Sequence, residues 1–164
     1  MIRDLDKIVL VVVHCADTAD GDPAFDIRDV NQWHGAPPHG YNRDPRLVKD
    51  LGHGKLHHIA YQTFIPTSGE PQQGRLLEEV GAHCAGYNAV SVGICMAGKT
   101  AFTLPQWYTL RSEIVNLTID LGRPLRIVGH NALDRRTPPK TCPGFDVDSW
   151  LRGGMAPLPA HLIS

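Results

Sequence analysis

The chain has 164 residues, a length that suits one domain of ordinary size and leaves no room for a second. Its 16 basic and 17 acidic residues leave a net charge of -1, which excludes the strongly basic class of nucleic-acid-binding protein. Because 42% of the residues are hydrophobic, the chain can fill a core, which excludes a disordered chain.

The N-terminal segment is typical of a buried strand with charged residues before it, and not of a targeting signal. The chain opens with charges of both signs, and its longest apolar run, residues 8–13, is far too short to span a membrane. The four cysteines contain no CxxC pair, which favours reduced thiols. We therefore expect synthesis in the cytoplasm without a signal peptide and without membrane insertion. A disulfide between Cys84 and Cys95 stays an open alternative.

The first part of the chain predicts a buried strand, a short helix and a long loop. Residues 8–13 are a continuous aliphatic run, typical of a strand buried on both faces, and His14 follows it directly. Asp26 and an aspartate three positions later indicate a helix start, and apolar residues at helical spacing predict a helix over 27–34. Residues 35–55 are rich in Pro, Gly, Asn and His, which predicts a loop insertion with one helical turn.

The rest of the chain alternates strands with helices. We predict strands over 58–65, 90–97 and 125–128, and a hairpin from the first of these to residues 72–75. Thr103 begins a helix that ends at Gly122, and Asp146 caps a last helix through Leu151 after the proline-rich loop 131–144. This order predicts an α/β fold, a single domain over 1–164 with a central mixed β-sheet flanked by helices.

Two histidines and one cysteine suggest a metal site. His14 and His130 each follow a predicted strand, and Cys142 lies in a proline-restrained loop twelve positions after His130. Two neutral imidazoles and a thiolate suit zinc, and three protein ligands leave a fourth position open, as a catalytic site requires. On spacing alone, the favoured interpretation is structural: hydrogen-bonded histidines at strand ends and a buried thiol.

Six segments of the sequence resemble one known family. They are VVHCADT, DVNQWH, IAYQTFIPTSGEPQQGR, GAHCAGYNAVSVGICMAG, IVGHNAL and KTCPGFDVDSWL, and they follow the order found in that family over nearly the whole chain. In these segments the chain resembles the zinc-dependent N-acetylmuramoyl-L-alanine amidases of the type-2 amidase and peptidoglycan-recognition-protein superfamily, and in particular the small amidase lysozymes (endolysins) of bacteriophages.

The resemblance implies a role for each matching residue. It makes His14, His130 and Cys142 the ligands of one catalytic zinc ion. It makes Tyr61 a catalytic tyrosine beside the metal and Lys140 a catalytic lysine. Two further residues would line the substrate groove and bind substrate: His83 and Asn88.

The sequence departs from the family pattern at two places. Gln62 stands where phage members often have a histidine, and the loop over 35–55 is longer than usual, so a role at position 62 and the shape of the groove are both open.

Each of these residues also has a purely structural interpretation. Tyr61 would be a core tyrosine, Lys140 a solvated loop lysine, His83 the donor of a structural hydrogen bond, and Asn88 a turn residue. Cys15 must point away from the face that carries His14, so we expect it in the core. The tryptophans lie on amphipathic helices, and we expect all three in the core: Trp33, Trp107 and Trp150.

The function that the resemblance implies is hydrolysis of the amide bond between N-acetylmuramic acid and L-alanine in peptidoglycan. The protein would be a bacteriolytic, antimicrobial phage endolysin. Its partner would be peptidoglycan, both glycan strand and stem peptide; it would be a monomer, without nucleic acid, and would reach the wall after release from the cytoplasm. Three alternatives stay open: a non-catalytic peptidoglycan-binding module, a metal-free hydrolase with Cys142 as nucleophile and His130 as base, and a structural zinc protein.

Overall fold

The fold is built on a five-stranded sheet whose central strand is the N-terminal aliphatic run. The computed structural model describes residues 1–137 and 139–163. The sheet has the order β3-β2-β4-β1-β5; β3 is antiparallel to β2 and every other pair is parallel. The predicted mixed sheet is therefore confirmed. The strands are β1 (Leu10–Cys15), β2 (Thr63–Ile65), β3 (Gln72–Gln73), β4 (Ser91–Met96) and β5 (Arg126–Gly129).

Three helices cover the sheet: α1 (Ile27–Gly35), α2 (Leu104–Asp120) and α3 (Val147–Arg152). The predicted starts are confirmed, because Asp26 and Thr103 each form a capping box that satisfies the free N–H groups of a first turn. Gly122, which follows α2 with a φ of 63°, supplies the left-handed turn that ends it.

The two faces of β1 differ in what they contact: one packs against α2 and α3, and the other carries His14. Side chains alternate along a strand, so Val11 and Val13 face one way and Leu10, Val12 and His14 face the other. The first set packs against α2 and α3, in a core that contains Trp107 and Trp150, both fully buried as predicted. The opposite face of the sheet packs against α1, and it is the face that carries His14.

The second predicted strand is wrong in length. Only residues 63–65 join the sheet, although the prediction began at residue 58. The backbone N–H groups of His58 and Ile59 donate to the side chain of Asn31 at 2.7 and 3.0 Å, and that of Ala60 donates to His34 Nδ1 at 3.2 Å. Side chains of α1 thus satisfy the backbone groups that a neighbouring strand would otherwise bind.

The long loop is fixed to the rest of the molecule by a buried ion cluster. It contains one short 3₁₀ turn, Pro45–Leu47, as the sequence predicts. Arg43 Nε donates to Glu79 Oε1 at 2.9 Å, and Arg75 Nη1 donates to the same oxygen at 3.1 Å. Arg43 also donates to the Leu56 carbonyl at 2.7 Å. The first part of the loop is therefore held against the fold, although its sequence resembles that of a surface loop.

Two further expectations concern membranes and cysteines. Among residues 1–137 and 139–163, no helix has the length and apolar character needed to cross a membrane. All four cysteines are free thiols, so the alternative of a disulfide between Cys84 and Cys95 is not the one that the structure adopts.

Candidate functional site

The sheet brings the two histidines together. β1 and β5 are parallel neighbours, with Val13 opposite Gly129, so the carboxyl ends of both strands lie at the same edge. His14 is the next residue after Val13, and His130 opens a 3₁₀ turn directly after β5. Their ring centroids lie 4.5 Å apart.

Cys142 completes the group from a neighbouring loop. One ligand atom from each of His14, His130 and Cys142 can be chosen so that all three lie within 4.8 Å of one another. The Asn131 N–H donates to the Cys142 carbonyl at 2.7 Å, which ties the turn after β5 to this loop. Pro138, which the sequence also places in the loop, lies outside the described residues.

A glycine holds the cysteine loop in place. Gly144 has a φ of 88°, which L side chains rarely adopt, and its N–H donates to the Thr141 carbonyl at 2.7 Å. A Cβ at this position would lie 1.9 Å from the Lys99 carbonyl oxygen, so no side chain fits. The turn that presents Cys142 therefore depends on close contact between two backbones.

Burial sets the charge state of the three side chains. It lowers the pKa of His14 well below 6.5, and it lowers that of His130 to about 4, with Lys140 adding to the effect. Both imidazoles are therefore neutral at neutral pH, which is the form that binds a metal. The Cys15 thiol and burial raise the pKa of Cys142, so a thiolate there requires a cation beside it.

Tyr61 lies beside the histidines, just before β2. It is half-buried, and its ring centroid is 5.0 Å from that of His14. Burial raises its pKa well above 10, so the phenol keeps its proton and can act as a hydrogen-bond donor. Gln62 is not among the residues that line the cleft: its side chain accepts from the Gly93 N–H at 2.8 Å and donates to the Glu79 carbonyl at 3.0 Å. Gln62 therefore fixes backbone and does not take the place of a site histidine.

Lys140 lies in the wall of the same cleft. Its side chain is exposed, and its backbone N–H donates to Asp134 Oδ2 at 2.9 Å. The cleft has a volume of about 440 Å³ and is lined by the three candidate ligands, Tyr61 and Lys140. Such a cleft offers a concave surface with a cation, a neutral phenol and a metal-binding set directed into one space.

The two predicted groove residues take different positions. Asn88 Oδ1 accepts from the backbone N–H groups of His83 and Cys84, both at 2.8 Å, so it shapes the loop that carries His83. His83 is only 8% exposed; its ring borders both the cleft and the adjoining groove, and its Nδ1 lies 3.0 Å from His14 Nε2. Asn88 also lines an adjoining groove of about 870 Å³ that reaches His130 and Lys140.

The cleft has a second wall, whose residues the sequence analysis did not assign to the site. It consists of side chains from α1 and from the long loop: Trp33, His34, His39 and Tyr41. The prediction that Trp33 lies in the core is wrong, because this residue is 40% exposed. At about 100° of rotation per residue, Trp33 lies about 120° around the helix from the buried Ile27, at the edge of the apolar face. The segment DVNQWH, one of the six that resemble the family, was the available signal.

Comparison with known proteins identifies relatives over most of the chain. The model of the N-acetylmuramoyl-L-alanine amidase family matches residues 4–145. The endolysin of Klebsiella phage KP32 is 28% identical over 148 residues, covering 85% of this chain and 83% of the relative. The endolysin of Escherichia phage T7 is also 28% identical over 148 residues, with the same coverage.

Solved structures share the fold. The endolysin amidase LysCS from Clostridium intestinale URNW superposes with a TM-score of 0.68 at 18% identity, covering 94% of this chain and 88% of that one. Peptidoglycan recognition protein-LE, solved with tracheal cytotoxin, gives a TM-score of 0.70 at 20% identity, covering 92% and 83%. The predicted fold, the resemblance to phage amidases and the predicted enzyme class are all confirmed. The chain belongs to the N-acetylmuramoyl-L-alanine amidase family.

Proposed function

We propose that this protein is a zinc-dependent phage endolysin that hydrolyses the amide bond between N-acetylmuramic acid and L-alanine in peptidoglycan. The observation that carries the proposal is the cluster of His14, His130 and Cys142 in a cleft that also holds Tyr61 and Lys140. The phage endolysins among the relatives support lysis of a host cell. The neighbour solved with a diaminopimelic acid-type peptidoglycan fragment supports peptidoglycan as the partner.

The three side chains fit a zinc ion. Zinc–sulfur and zinc–nitrogen bonds of about 2.3 and 2.0 Å at a tetrahedral angle place the two ligand atoms about 3.5 Å apart. Cys142 Sγ lies 3.7 Å from His14 Nδ1. The Cys15 N–H points at the same sulfur at 3.2 Å, which favours a thiolate. Zinc bound here would activate water and polarise the scissile carbonyl, with one coordination position left for the reaction.

The residues around the metal position supply the remaining steps. The neutral phenol of Tyr61 can orient the attacking water and assist proton transfer to the leaving amine of L-alanine. The ammonium group of Lys140 can stabilise the negative charge that develops on the carbonyl oxygen as the carbon becomes tetrahedral. A thiolate ligand cancels one of the two positive charges of zinc. The positive charge of Lys140 should therefore contribute more to stabilising the oxyanion than it would beside zinc bound by three neutral histidines.

The alternative of a metal-free thiol hydrolase is disfavoured by the charge state of Cys142. A nucleophilic cysteine needs a lowered pKa, whereas burial and the Cys15 thiol raise that of Cys142. The structural zinc alternative requires a fourth protein ligand. The His14, His130 and Cys142 group has only three members within the described part of the chain.

The test is a digest of purified peptidoglycan with the wild-type protein. We expect new alanine amino termini and no new reducing sugar ends, and we expect a zinc chelator to stop the reaction. Cys142→Ser should lose both zinc and activity, whereas Cys84→Ser, at a buried thiol outside the ligand group, should keep both. Reducing ends without free alanine amines, or full activity after complete removal of zinc, would refute the proposal.

A further inference from the structure

We infer that His83 is a positioning residue: its imidazole orients the His14 ring so that the unprotonated Nδ1 faces the metal position. This inference rests on the proposed zinc chemistry. The two nitrogens of His14 point to different partners, with Nε2 at 3.0 Å from His83 Nδ1 and Nδ1 at 3.7 Å from Cys142 Sγ. His83 therefore lies at the ring nitrogen of His14 that does not face Cys142.

A row of hydrogen bonds runs from His14 through His83 and Ser91 to the Tyr87 carbonyl. The direction of each bond follows from this carbonyl, which is the last acceptor. Ser91 Oγ lies 2.8 Å from the Tyr87 carbonyl, which can only accept, so the hydroxyl donates to it. Ser91 Oγ can then accept from the N–H at His83 Nε2, 3.4 Å away. A neutral imidazole has one N–H, so His83 Nδ1 has a lone pair and accepts from His14 Nε2.

The consequence for His14 is a fixed tautomer. Because Nε2 carries the hydrogen, Nδ1 carries the lone pair, and this is the atom that faces Cys142. Metal-ligating histidines commonly donate their other N–H to a nearby acceptor, which fixes the tautomer and the ring orientation. In this protein the acceptor is a second imidazole, which Ser91 and a backbone carbonyl hold in its own single tautomer.

The fold makes a slot for the His83 ring. A Cβ at Gly93 would lie 2.6 Å from His83 Cγ, and a Cβ at Gly81 would lie 2.6 Å from His83 Cδ2, both closer than real contacts allow. Ser91 and Gly93 are two positions apart on β4 and therefore share one face of the sheet. The same face carries His14 on β1. With Asn88 fixing the backbone N–H of His83, the ring has little freedom to turn.

This placement differs from the role that the family resemblance gave to His83. A residue that contacts substrate directly must present its polar atoms to the cleft. Both ring nitrogens of His83 are instead directed at protein groups, His14 and Ser91, and the side chain is almost wholly buried. Its influence on the reaction should therefore pass through the metal site.

The experiment measures the dissociation constant (Kd) for Zn²⁺ by competition with a chelator, together with kcat and KM on peptidoglycan. His83→Leu keeps a side chain of similar size but has no acceptor, and we expect zinc to bind about 10-fold to 100-fold more weakly. His83→Asn places an amide oxygen close to the position of Nδ1 and should recover much of the affinity. Ser91→Ala should weaken zinc binding less, and His57→Leu, an exposed histidine elsewhere, should not change it.

The outcomes separate this inference from the proposed function. If the wild-type protein binds zinc and cuts the amide while His83→Leu keeps the wild-type Kd, only the inference is overturned. A raised KM at unchanged zinc Kd in His83→Asn would mark a substrate contact and overturn it as well. If His83→Leu does not fold, Ser91→Ala and a folded sample of His83→Ala take its place. Wild-type zinc Kd values in both variants would overturn the inference. A wild-type protein without zinc or activity would instead refute the proposed function.

Discussion

Replacing Glu79 with glutamine should destabilise the protein strongly. The side chains of Arg43, Glu79 and Arg75 are 1%, 2% and 6% exposed, so one carboxylate neutralises part of the charge of two buried guanidinium groups. Removing one partner of a buried ion pair costs about 3–5 kcal/mol, because the remaining charges stay out of water without compensation. At about 3 °C per kcal/mol for a chain of this size, the melting temperature should fall by about 9–15 °C.

The chain offers a matched control for this variant. Glu70 is an exposed glutamate, so Glu70→Gln makes the same chemical change at the surface and should alter stability by about 0.5 kcal/mol or less. Thermal unfolding followed by circular dichroism compares the two variants. The reasoning is refuted if their melting temperatures agree within about 2 °C. Because Arg43 anchors the loop that carries Tyr41, we also expect Glu79→Gln to lower kcat/KM at temperatures where it is still folded.

Further predictions address chemistry, substrate binding and pH. Lys140→Ala and Tyr61→Phe should each lower kcat by about 10²-fold or more while zinc content stays normal, and a wild-type single-turnover rate in either would remove that residue from the mechanism. Trp33→Ala should raise KM on peptidoglycan with little change in melting temperature, whereas Tyr108→Ala, at an aromatic residue 53% exposed on α2, should leave KM unchanged. In metal-free protein the free energy of unfolding should fall as the pH drops from about 6.5 to about 4, because burial lowers the pKa of His34 to about 4 and only the unfolded chain takes up its proton in that range. His34→Gln should make this slope shallower in urea titrations, and an identical slope would contradict the reasoning.

The sheet could be predicted from the sequence wherever local pattern and tertiary environment agree. Residues 10–13 are aliphatic because both faces of β1 are buried, and the capping boxes at Asp26 and Thr103 are local interactions that are visible in the sequence. The length of β2 could not be predicted in this way. Whether residues 58 and 59 pair with a strand depends on Asn31, a side chain of α1 that accepts from their backbone N–H groups although it is distant in sequence.

The candidate site shows the same division. His14 and His130 follow parallel strands, so their proximity could be expected from the fold class, and the family motifs added Cys142. The slot behind His14 could not be foreseen from β4, because a serine and a glycine in an apolar run carry no sign of what packs over them. The exposure of Trp33 was missed for a similar reason: its distance from the core depends on the rotation of α1 about its axis.

The position of β1 has a consequence for the moment at which the site can form during translation. β1 is the first strand to be synthesised, yet in the sheet it lies between β4 and β5, which come later in the chain. His14 and Cys142 are 128 positions apart, a distance that takes about 6 to 26 seconds to translate at 5–20 residues per second. A chain interrupted before β5 has one of the three candidate ligands and no partner on one edge of β1. The proposed cutting activity therefore requires synthesis to continue past the last strand, through Cys142.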